Sequence, residues 1–71
     1  MSSIQEDMKW ADEHYIQLQD QYPDMWVAIH DKKIIAYHEE AGAARRKAIE
    51  KLGEGKDFLM EYVLSGELFV F

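Results

Sequence analysis

A small two-layer α+β domain of order α-β-β-α-β, with an optional last β, is predicted by two features of the sequence. An apolar stripe of helical period runs through the first twenty-two residues, and two runs of strand formers then flank Asp31-Lys32. With 71 residues the chain has room for one such unit, spanning 1–71, and no second domain. The expected sheet has three or four strands, with two helices on one face.

The first element rests on Ile4, Met8, Ala11, Tyr15, Leu18 and Tyr22, which recur at spacings of three and four and so share one side of a helix. Ser2 or Ser3 can cap its start, Glu6 and Asp7 suit the positive end of its dipole, and Pro23 ends it. Trp10 and Ile16 fall on the flanks of the stripe. A hairpin follows, from Met25 to His30 and back from Lys33 to His38. A two-residue turn at Asp31-Lys32 sets Trp26 against Tyr37 and Ala28 against Ile35 on one side. Val27 with Ala36 and Ile29 with Ile34 then occupy the other.

The second helix runs from Glu39 or Glu40 to Leu52, where Gly53 supplies a C-terminal stop. Its apolar face is thin (Ala41, Ala44, Ala48, Ile49 and Leu52), and such small residues let a helix lie close on a sheet. A third strand puts Phe58, Met60, Tyr62 and Leu64 on one face and Leu59, Glu61 and Val63 on the other. Ser65-Gly66 reads as a turn, and residues 67–71 read as a fourth strand or an apolar tail.

Net charge is −6, unevenly spread: −5 over residues 1–24, −1 over 25–40, +3 over 41–56 and −3 over 57–71. This balance argues against direct nucleic-acid binding, which needs a net cationic face. Arg45, Arg46 and Lys47 form the one basic run, and on a helix they fan out instead of making a stripe. The opposite signs of the two helical segments predict that acidic residues of the first lie near Arg45, Arg46 or Lys47. The start MSSIQEDMKW lacks a basic and apolar leader pattern, and no run of 18 apolar residues occurs, so no membrane is expected and a cytoplasmic location is.

Trp10, Tyr15, Tyr22-Pro23-x-x-Trp26-Val27-Ala28-Ile29, a tight turn and Ile34-Ile35-Ala36 together resemble a family of short prokaryotic, mainly archaeal, domains of unknown function. The resemblance runs from about Trp10 to Val63, and the YPxxWVA stretch with its hairpin is its distinctive part. It implies one hairpin, two helices and a further strand, with no assigned activity. Asp24 and Lys32 stand where that family usually has glycine.

Motifs for chemistry fail on inspection. His38-Glu39-Glu40-Ala41-Gly42 begins like the zinc-protease HExxH but lacks its second histidine, so His38 reads as closing the strand or capping the helix. His14 reads as a solvated residue and His30 as an exposed one beside the turn; three histidines on three elements give no expected metal site. Gly53-Glu54-Gly55-Lys56 has neither the spacing nor the hydroxyl of a phosphate loop. There is no cysteine, and the serines lie at a terminus and a turn. Neither an enzyme nor a bound cofactor is expected.

Aromatic content is the remaining signal. Tyr15, Tyr22, Phe58 and Tyr62 suit a small core, whereas Trp10, Trp26, Tyr37 and Phe69 or Phe71 are hard to bury in so small a body. Trp26 and Tyr37 fit core or interface equally. The candidate interface is therefore Trp10, Trp26, Tyr37, Leu68, Phe69 and Phe71. The expected function is a non-enzymatic protein-interaction module whose partner is another protein or a second copy of itself. The alternative is a small acidic, antitoxin-like partner that masks a basic protein, on the strength of the net charge.

Overall fold

The computed structural model describes residues 4–64, and the segment expected as a fourth strand or tail, 67–71, lies outside them. Three helices, α1 (Ile4–Glu13), α2 (Tyr15–Gln21) and α3 (Ala41–Leu52), accompany three strands, β1 (Met25–His30), β2 (Lys33–His38) and β3 (Leu59–Val63). The sheet order is β2-β1-β3, with both outer strands antiparallel to β1. β2 and β3 are thus parallel to each other, and α3 is the crossover between them. The α+β class expected from the sequence is what the chain adopts.

The layering differs from the expectation of two helices on one face. Val27 and Ile29 of β1 point to one side, where Ala11, Leu18 and Val63 complete a buried cluster beneath α1 and α2. Ala28 points to the other side, where it meets Ala36 and Ala48 beneath α3. A central strand apolar on both sides needs cover on both, so the helices divide between the faces. This separation also removes the expected approach of the first helix to Arg45, Arg46 or Lys47. On the α3 side the buried residues Ala28, Ala36, Ala44 and Ala48 bear out the reading of a helix lying close on small side chains.

The first helix is broken where an unbroken stripe was expected. His14 has φ −111° and ψ 15°, and its Nδ1 donates to the Trp10 carbonyl at 2.8 Å, the same carbonyl its backbone N–H reaches at 3.0 Å. A side chain competing for a helix carbonyl is a recognised cause of bending. Upstream of the break the buried face is Asp7 and Ala11, with Trp10 packed against the same cluster, while Ile4 and Met8 are exposed. The helix is therefore turned relative to the expected stripe, and Trp10 belongs to its inner side.

The hairpin turn falls at Asp31-Lys32 as predicted, with φ +52° and +59°. Both residues are left-handed, as the turn that matches strand twist requires. Asp24 is also left-handed, at φ +55°. These two non-glycine sites, Asp24 and Lys32, are where glycine was expected from the resemblance. The register departs from the expected pairs because β2 carries a bulge. Ile29 pairs with Ile34 but Ala28 pairs with Ala36, leaving Ile35 as the extra residue. Beyond it Val27 faces Tyr37, and Trp26 faces His38, not Tyr37.

Asp7 ties the α1 layer to this turn. It is 1% exposed, and its Oδ1 accepts the Lys32 backbone N–H at 3.0 Å. Asp7→Ala leaves that amide without its acceptor, an expected loss of about 1–3 kcal/mol, read as a lower midpoint in urea unfolding. Lys32→Gly keeps the amide and removes a left-handed penalty of about 1–2 kcal/mol, partly offset by the entropy of glycine at about 0.5–1 kcal/mol. Its melting temperature should rise by a few degrees, and a fall would show that the lysine side chain itself holds the turn.

Candidate functional site

The three described candidates of the expected interface do not come together. Trp10 lies on the α1 side, half-buried, with its ring stacked on His14 at 4.8 Å between centroids. Tyr37 lies on the same side of the sheet but on the outer strand β2, 51% exposed, with its ring 4.9 Å from that of Tyr22. Trp26 faces the α3 side, and its ring meets that of Tyr62 at 5.4 Å and 59°. Leu68, Phe69 and Phe71 lie outside the described residues.

What the fold does assemble is an aromatic patch around Trp26 and Tyr62. The two are direct cross-strand partners of β1 and β3, so their side chains share a face. Helix α3 packs over β2 and β1, and on its β3 flank Tyr62 stays 37% exposed and Leu64 nearly half exposed. Tyr62, read from the sequence as a core residue, is therefore part of an open surface. The Leu64 N–H donates to the Tyr15 hydroxyl at 3.0 Å, which fixes this end of β3 to α2.

The two outer strands border grooves of opposite character. Beside β3 a cavity of about 200 Å³ is lined by Met8, Asp12, Leu59, Met60 and Glu61. Burial is the larger cause, and the charge of Asp12 the smaller, of a Glu61 carboxyl held above the usual carboxylate range. Beside β2 lie two adjoining cavities of about 240 and 320 Å³ that share Tyr37 and Lys47; Lys51 lines the first and Glu39 the second. The acidic pair escaped sequence reading because Asp12 and Glu61 are far apart in the chain. Only the pairing of Glu61 with Val27 sets it under α1.

The histidines are engaged with the backbone. His30 Nδ1 donates to the Asp57 carbonyl at 2.9 Å, and His38 Nδ1 accepts the Glu40 amide at 3.0 Å. His38 thus serves the start of α3, as one of its two sequence readings had it. His14 is half-buried, not solvated. Among the described residues no three or more His, Asp or Glu side chains converge as metal ligands, and no helix is long and apolar enough to cross a membrane.

Fold and surface define a small antiparallel α+β domain with an open aromatic face and two unlike edges. Residues 17–64 match a family described as a family of unknown function (DUF5678). That match covers more than half of the chain, and the protein belongs to this family. No curated protein and no solved structure matches the chain.

Glu61 gives a pH test. Its pKa in the fold lies above the unfolded value, so the fold binds this proton more tightly. The associated stability is present below the unfolded carboxylate pKa and is lost as pH rises through the folded value. Glu61→Gln should abolish this part of the pH dependence and raise the urea midpoint at neutral pH relative to the parent. Equal pH profiles for the two proteins would show that the fold does not raise the Glu61 pKa.

Proposed function

We propose that this domain is a non-enzymatic protein-interaction module of the cytoplasm, and that one of its partners is a second copy of itself. The observation that carries the reading is the Trp26–Tyr62 patch on the β3 flank of α3, with exposed Leu64 beside it. Aromatic side chains supply large contact area at low entropic cost and dominate protein interfaces, whereas single exposed aliphatic residues need no partner. A two-fold contact would place this patch against itself, the simplest closed arrangement. In sedimentation equilibrium the chain should show a concentration-dependent dimer, and Tyr62→Glu should be monomeric with an unchanged circular-dichroism spectrum. A parent that stays monomeric at high concentration would rule out self-association.

The antitoxin-like alternative draws on the net charge of −6 and on the Asp12–Glu61 groove. There a cation from a basic partner would relieve a carboxyl disfavoured by burial.

A further inference from the structure

The groove between the outer edge of β2 and helix α3 combines three properties. Among the described residues β2 has a sheet neighbour on one side alone, since the strand order is β2-β1-β3. The groove is long, formed by two adjoining cavities that run past residues 34–39. It is also cationic: Lys47 and Lys51, one helical turn apart on α3, line it, within a segment of net charge +3 in a chain of net charge −6.

We infer that this groove binds an extended acidic peptide of a partner protein, added as a fourth strand along β2, with carboxylates on the α3 side and apolar side chains on the other. The inference rests on the reading of the domain as an interaction module and names a second partner class for it. The alternation follows from strand geometry. Successive side chains of an added strand point to opposite faces of the sheet. On one face Lys47 and Lys51 line the groove, and a lysine ammonium selects carboxylates. On the other stands Tyr37, which pairs with Val27, faces the α1 side and is half exposed, so it offers an aromatic surface to the intervening residues. Main-chain bonding supplies affinity in this mode and alternate side chains supply selectivity.

The bulge at Ile35 limits the regular edge to a short run beyond it. Bulged, short edges resist indiscriminate pairing, so recognition here depends on the flanking side chains. Glu39 lines the far cavity, which sets the end of the acidic register by repulsion.

The probe is a capped, fluorescein-labelled seven-residue peptide alternating glutamate with valine, compared with its lysine–valine counterpart. With the full chain, the acidic peptide should raise fluorescence anisotropy, weaken with added salt, and shift the amide resonances of Ala36, Tyr37 and His38. The lysine peptide should not bind. Lys47→Glu combined with Lys51→Glu should weaken binding at least tenfold, with circular dichroism confirming the fold. Tyr62→Glu should bind as the parent does, which separates this inference from the self-association reading. Absence of binding, equal binding of both peptides, indifference to the double substitution or shifts confined to β3 would each overturn it.

Discussion

Strand β1 has a hydrogen-bonded neighbour on each edge and a helical layer on each face, so Val27, Ala28 and Ile29 are wholly removed from water. The rest of the fold answers that requirement. Fully burying Val27 and Ile29 contributes about 1.5–3 kcal/mol each, a large share for a domain whose net stability is small. Both residues need α1 and α2 above them, while Ala28 needs α3 below. The α3 crossover meets both demands. It carries the chain from β2 across the far face of β1 and delivers β3 to the free edge, where Val63 and Leu59 close the first cluster.

The two layers differ in how they fit. Alanine against alanine lets α3 approach closely with little shape to match. The α1–α2 layer is more irregular and is held by polar pins: Asp7 on the Lys32 amide at one place, the Tyr15 hydroxyl on the Leu64 amide at another. Each pin satisfies a backbone group that the sheet ladder leaves over, and each joins residues far apart in sequence. The break at His14 belongs to the same design. It lets α1 present Asp7, Trp10 and Ala11 inward while α2 presents Leu18.

Much of this was legible because it is local. The turn at Asp31-Lys32, the Gly53 stop with φ +91° and the alternation along β3 are all written in short stretches of residues. Non-local features were not. Apolar groups on both sides of the hairpin left open which face meets the helices, and the expectation of both helices on one face missed that each side is covered. The bulge at Ile35 shifts every pair beyond it and so moved Trp26 away from Tyr37. Asp7 read as an ordinary acid at a helix start, because nothing near it in the sequence marks a buried carboxylate. Tyr62 read as core because its exposure depends on where α3 happens to lie.

The charges at the two edges bear on how a sheet of this kind can associate. Edge-to-edge pairing of two β2 strands would set Lys47 and Lys51 against the same residues of a second copy. Pairing of two β3 strands would oppose Glu61 and Asp12, where one carboxyl is already disfavoured. Like charges brought together in a contact cost affinity and act as a device against the wrong partner. Symmetric extension of the sheet is therefore penalised at both edges by the side chains that border them. The proposed symmetric contact avoids both edges by using the Trp26–Tyr62 patch, the aromatic face that α3 leaves open. The proposed self-association and the proposed strand addition therefore use different surfaces and can coexist on one molecule.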